Sequence, residues 1–361
     1  MRYVACLGLL LIIGCAKENP TETELDNTQD PVSGESCESL PTPSLNLSSC
    51  RPKDTDYLPR ESNSAGDTWE SCISDNGVYS QLELSVSSIE RVAGFDQIAD
   101  ILWRSGNVPT PEDFLSARDI YTVEQGLRTR VMRRYDPRLV APDGGEWSCG
   151  DQATYLAYPE FCIGPSTIGP LVSQAFVDGI EGKTPLANAA QIEAGLTWFL
   201  YVSVLKEAKT CIETAKDCDS SWAYYSGGTQ RDAPQGLAAM VQSVSPETHD
   251  RVFDAILALR CWRDLDSAVP AQNTELWQLA STQLEQALNH GMTTWMRQKA
   301  LAVECATGDY AQAHQTYLKF SGPLLGPWLE SYPDELSQAW ESTDFDGSSV
   351  DNLLEQAFAC P

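Results

Sequence analysis

The stretch from Thr184 to Lys209 limits what this chain can fold into more than any other. Thr184 suits a helix N-cap, Pro185 suits the first helical position, and Leu186 to Leu205 carries one charge, Glu193. At ~1.5 Å per residue such a helix runs roughly 37 Å, enough to cross a whole domain. Asn188, Gln191 and Glu193 interrupt its apolar character early, and the remainder is well short of the ~20 apolar residues a membrane span needs. It reads as a buried central helix with other helices packed around it.

The neighbouring patterns agree with that reading. Ser88 to Arg104 places Ile89, Val92, Phe95 or Ile98, Ala99 and Leu102 on one face. Thr110-Pro111-Glu112-Asp113 is a cap, a proline and an acidic first turn, opening a helix that should run to about Arg134. Residues 136–184 are rich in Gly and Pro and read as a pinned loop with a short helix near Leu171–Gly179. Trp222-Ala223-Tyr224-Tyr225 forms a short aromatic helix stopped by Gly227-Gly228, and Ser245-Pro246-Glu247 starts an apolar helix to about Asp264. Thr274 to Cys305 reads as one long amphipathic helix with Gly291 as a possible kink, followed by shorter helices over Asp309–Phe320, Asp334–Trp340 and Ser349–Ala359. No segment sustains a strand alternation. The expectation is an all-α fold of about eight to ten helices, one domain over 69–361.

The first fifteen residues carry an address. Arg2 follows Met1, Leu7 to Ile13 is apolar, and Gly14-Cys15 follows directly. A small residue before a cysteine at the end of such a segment is the pattern of a bacterial lipoprotein signal, with Cys15 lipidated. Ala16 after it favours the outer membrane under the sorting habit of enteric bacteria. Residues 16–68, rich in Thr, Glu, Asn, Pro and Ser, read as a disordered acidic tether. The folded part would then sit in the cell envelope, periplasmic or surface-exposed.

An exported chain can keep disulfides. Beyond Cys6 and Cys15, ten cysteines remain: Cys37, Cys50, Cys72, Cys149, Cys162, Cys211, Cys218, Cys261, Cys305 and Cys360. None has the two-residue spacing of zinc or redox motifs. Cys37–Cys50, Cys149–Cys162 and Cys211–Cys218 suit local loops, leaving Cys261–Cys305 and Cys72–Cys360. Without Arg2 the chain carries 23 basic and 51 acidic side chains, a net charge of −28. Such a charge repels nucleic acid and anionic membranes and is compatible with attracting cations.

Familiar catalytic signatures are missing from the sequence. The three histidines form no metallopeptidase motif, and there is no nucleophile elbow, phosphate loop or dinucleotide fingerprint. Asp344-Phe345-Asp346-Gly347 resembles the start of a calcium loop, but the later ligands fail, and Asp346 and Ser349 suit the cap of the last helix. What remains is ionisable groups on apolar helices. A buried Glu193 needs a partner: a cation, or an arginine such as Arg128 or Arg260. His290 has Glu285 one turn back, His314 precedes Tyr317 by three residues, and His249 lies in a first helical turn, where the dipole disfavours its charged form. Trp222, Tyr224 and Tyr225 suit a pocket wall or, more commonly, aromatic core.

The order of these elements has a counterpart. The apolar helix Ala187 to Ala208, the Trp-Ala-Tyr-Tyr-Ser-Gly segment at 222–227, the arginine-containing helix at 251–263, the long helix at 274–304 and Ala313-His314-Gln315-Thr316-Tyr317-Leu318-Lys319-Phe320 before Gly322-Pro323 follow in turn. Over roughly Leu186 to Trp328 this resembles the iron-assimilating, low-iron and high-CO2-inducible periplasmic proteins first known in algae. The resemblance implies an all-α extracytoplasmic protein that assists iron uptake without being an enzyme. The lipobox, the many cysteines and the Gly/Pro-rich insertion at 140–170 depart from it. Chemistry, not the resemblance, nominates Glu193, Glu285, His290, His314 and Tyr317 as ligands, since hard oxygen donors with a histidine suit ferric iron. The expected function is a non-enzymatic, membrane-tethered envelope protein capturing iron or another cation. The alternatives are a scaffold lipoprotein docking a protein partner, which needs a broad exposed apolar patch, and a hydrolase with an unfamiliar cleft.

Overall fold

The computed structural model describes residues 43, 54–59, 69–83, 86–142, 147–329 and 332–357, all within one compact unit, Gly34–Pro361. Cys15, Cys37, Cys50 and most of the expected tether lie outside the described residues. Thirteen α-helices and no strand are present among the described residues, so the fold is all-α with more helices than expected. In chain order they are α1 Ser88–Leu102, α2 Pro111–Thr122, α3 Leu127–Val131, α4 Gln152–Ala157, α5 Gly169–Ile180, α6 Pro185–Thr210 and α7 Lys216–Ser226. Then come α8 Gly236–Val244, α9 Pro246–Leu265, α10 Thr274–Cys305, α11 Gly308–Leu325, α12 Asp334–Glu341 and α13 Gly347–Ala357.

The apolar stretch becomes α6, which packs most extensively on α11, α7 and α5. From Asn188 to Leu205 every residue but Gln191 is buried, as a helix apolar all round must be. Gly195 sets the distance to α5, since a Cβ there would come within 2.5 Å of Val172 Cγ2. α10 runs unbroken through Gly291, which lets Val241 of α8 approach closely. Thr184 proves not to be a side-chain cap. It adopts a left-handed conformation (φ 31°), and the Asn188 amide donates to the Lys183 carbonyl at 2.7 Å. None of the described helices is long and apolar enough to cross a membrane.

Three differences from the sequence reading have local causes. The helix opened at Pro111 stops at Thr122, because Val123 is extended and Gln125 takes a positive φ of 61°. Within 136–184, α4 and a five-residue π turn precede α5, so this region is more helical than its Gly and Pro content suggests. Residues 54–59, inside the expected tether, are packed on α10. There the Tyr57 N–H donates to Gln283 Oε1 and the Gln283 amide returns a bond to the Tyr57 carbonyl, both at 2.9 Å.

Cys149–Cys162 and Cys211–Cys218 form the local disulfides expected of them. Cys261 bonds to Cys72, not Cys305, which corrects both long-range pairings: the turn after Cys72 packs on α9 and brings the two Cα atoms to 5.3 Å. Cys305 is also disulfide-bonded, to a residue outside those described.

Candidate functional site

Two stretches distant in sequence meet where α3 runs out beside the C-terminal half of α6. The exit of α3 carries Arg130, Arg133, Arg134 and Tyr135; α6 contributes Lys206 and Glu207; α1 contributes Ser87, Ser88 and Arg91; α7 contributes Lys216, Asp217, Ser220 and Tyr224. Together they line a recess of about 310 Å³. The N-terminal turns of both α1 and α7 contribute to its lining, where the helix dipole favours negative charge.

The recess is positive in a strongly negative chain. Four arginines and two lysines face one glutamate and one aspartate, whereas the whole sequence carries −27. The carboxylates do not neutralise the set. Arg134 Nη1 lies 3.0 Å from Glu207 Oε1, and Lys206 Nζ lies 3.0 Å from Glu207 Oε2, so one carboxylate serves two cations. Burial alone would raise the Glu207 carboxyl, but Arg134 and Lys206 hold it below the usual range. Burial also works against the charge on Arg134, and Tyr224 and Glu207 more than offset it. The guanidinium stacks at 5.3 Å on Tyr224 and 5.4 Å on Phe199, and its Nη2 donates to the Tyr224 hydroxyl at 3.2 Å.

Arg91 is fixed by different partners. Nη1 donates to Ser87 Oγ at 3.0 Å and Nη2 to the Gln125 carbonyl at 3.3 Å, and burial lowers its pKa. The Nε atoms of Arg91, Arg130 and Arg134 are buried without a hydrogen-bond partner. Arg133 and Lys216, by contrast, stand exposed at the rim. Held guanidinium groups inside and exposed cations at the mouth have the chemistry to pair with an anion carrying several oxygen acceptors.

The five residues nominated for a metal divide into three places. Glu193 is buried and ion-paired to Lys299, with Nζ 2.9 Å from Oε1 and 3.0 Å from Oε2, so its partner is neither Arg128 nor Arg260. Lys299 Nζ also sits 5.0 Å over the Tyr317 ring and 4.9 Å over Trp295. His314 joins this group, its pKa lowered to about 3 by burial and then by Lys299. Tyr317 is fully buried, and burial followed by Glu193 raises its hydroxyl. Where three candidate donors gather, the cation between them is the chain's own ammonium. His290 is elsewhere on α10, its pKa also lowered to about 3 by burial, Arg251 and Arg297. Glu285 opens onto a separate cavity. Among the described residues no three His, Cys, Asp or Glu side chains converge.

His249 is buried as a neutral ring, meeting the Tyr225 hydroxyl and the Arg231 carbonyl at 3.0 Å each; burial is the first cause of its lowered pKa. Trp222 stacks on Tyr79 in the core, and Tyr224 lines the recess. Asp346 caps α13 by accepting from the Ser349 N–H at 3.0 Å. The arginine recess itself was not foreseen, although five arginines within residues 128–138 signalled it. No family model matches the chain, and neither does any curated protein or solved structure.

Proposed function

We propose that this protein is a lipid-anchored, non-enzymatic binding protein of the bacterial envelope whose ligand is a small multivalent anion held in the arginine recess. The observation behind this reading is the excess of four positive charges around the recess in a chain of net −27. A phosphate-bearing or polycarboxylate solute matches it, because planar guanidinium groups bind such oxygens in pairs. Iron enters this reading as cargo. A ferric chelate of net negative charge, such as ferric citrate, suits the recess, whereas the candidate donors for the bare ion lie in three separate places. Anchoring through Cys15 predicts palmitate incorporation that Cys15→Ala abolishes.

The test is calorimetry on the soluble chain beginning at Ala16, with phosphate, sulfate, citrate and ferric citrate as titrants. Saturable binding of at least one is expected. Arg133→Gln or Lys216→Gln, each at an exposed rim position, should weaken it roughly tenfold, as losing one hydrogen bond to a charged group costs about 1.5–3 kcal/mol. No binding of any of the four, or equal binding by the variants, overturns the proposal.

A further inference from the structure

The loop that supplies Arg133 and Arg134 to the recess continues into a second cavity on its other side. Arg138, Lys209, Trp277, Ser281, Glu285 and Trp328 are among the residues enclosing about 380 Å³, a volume in the range of small-molecule sites. Its aromatic walls are held in place. The Trp277 indole N–H donates to the Ala208 carbonyl at 3.3 Å, while Tyr201 packs edge-on against Trp328 with ring centroids 5.2 Å apart. Arg138 is held as well, its guanidinium paired with Asp136 and lying 4.7 Å over the Trp328 ring.

Arg138 is thus neutralised by Asp136, which leaves Glu285 and Lys209 as the open charges of the lining. Desolvation raises the Glu285 carboxyl, with Arg138 and Lys209 pulling it back, and among the described residues Glu285 closes no ion pair with either. Lys209 Nζ spends one donor on the Pro137 carbonyl, at 2.6 Å, and keeps its others. A lining that offers a carboxylate on Glu285, an ammonium on Lys209 and the indole rings of Trp277 and Trp328 is the complement of a molecule carrying both charges and an apolar body.

We infer that this cavity is a second binding site, for an amphipathic zwitterion of the amino-acid class. Its carboxylate sits against Lys209, its ammonium against Glu285, and its side chain along Trp277 and Trp328. Glu285 and Lys209 together select for the zwitterion because a ligand lacking either charge leaves one protein charge unpaired. This site is independent of the arginine recess and stands if that proposal fails.

The probes are L-phenylalanine, phenethylamine and hydrocinnamate, titrated by calorimetry into the soluble chain beginning at Ala16. L-phenylalanine is expected to bind at least tenfold more tightly than either single-charge analogue. Glu285→Gln, at a solvent-accessible position, should remove its advantage over hydrocinnamate, and Lys209→Gln its advantage over phenethylamine. The three-probe comparison on the unaltered chain stands without the variants, should either fail to fold. No saturable binding of any probe overturns the inference, as does equal affinity for all three, or a preference that both variants retain.

Discussion

Replacing Lys299 with Met tests the reading of Glu193 directly. Lys299 and Glu193 side chains are 9% and 4% exposed, and one ammonium bridges both carboxylate oxygens. Methionine preserves the length of the side chain and removes the charge, leaving a buried carboxylate without its cation. Breaking a buried pair from one side costs about 3–5 kcal/mol. At roughly 2–4 °C per kcal/mol for a domain of this size or somewhat smaller, Tm should fall by roughly 6–20 °C. Removing both charges in Glu193→Leu/Lys299→Met should bring stability back to within about 1 kcal/mol of the parent, because well-packed apolar replacements of buried pairs are often neutral. Urea melts followed by circular dichroism measure both, with unchanged m-values as the check that the same surface unfolds. A single variant losing under about 1 kcal/mol, or a double variant as unstable as the sum of its singles, would refute the pairing argument. So would a ferric-iron rise in the parent's Tm that Glu193→Gln removes, since iron would then hold the carboxylate.

Acid should destabilise the fold from near neutrality. His290 and His314 are held neutral, at about 3 against an ordinary 6.5, so the unfolded chain takes up those protons first. Their contribution is complete above pH 6.5 and is lost as pH falls toward 3, at up to about 1.4 kcal/mol per pH unit for each ring. Asp217, Asp254 and Glu285 have raised carboxyls and act in the opposite direction, but only lower down, near the carboxylate range. Urea melts between about pH 7 and pH 5 should therefore show falling stability, and His314→Gln should reduce the slope; an unchanged slope counts against a buried neutral ring. Loss of the Cys72–Cys261 bond should cost about 5 kcal/mol on the chain-entropy model, given a sequence separation of 189 residues. A Cys72→Ala/Cys261→Ala variant with the parent's Tm would show that the unfolded chain is already compact without it.

The fold was legible where one residue class dominated a long stretch. The segment around α6 announces a buried helix because nothing in it offers a polar face, and Pro185, Pro246 and the Thr110 box mark helix starts to within a residue. The shorter elements were less visible. The region of α8 has few polar landmarks, and α4 lies among glycines and prolines where local preference argues for loop. Tyr57 shows the limit of composition: one aromatic residue in a polar run is enough to pin residues 54–59 when Gln283 supplies both hydrogen-bond partners. The Cys72–Cys261 bond joins residues 189 apart, and nothing local encodes such a pairing.

The site was hidden by averaging. Net charge −27 points toward cations, and the search for cation ligands followed it to Glu193, which the fold gives to Lys299. Yet charge acts over a Debye length of about 8 Å at physiological ionic strength, and beyond that the sum over a surface is largely screened. What an approaching ligand meets is the local set, and there Arg91, Arg130, Arg133, Arg134, Lys206 and Lys216 outnumber Glu207 and Asp217. The acidic remainder still has an effect, repelling anions at long range and so slowing their approach at low salt, while leaving the contact interactions inside the recess nearly unscreened. A basic protein loses anion affinity steeply as salt rises. If the recess takes the proposed anion, moderate salt should remove the distant repulsion before it weakens the buried contacts, and selectivity should rest on fit to the Arg91 and Arg134 guanidinium groups and not on attraction to the whole surface.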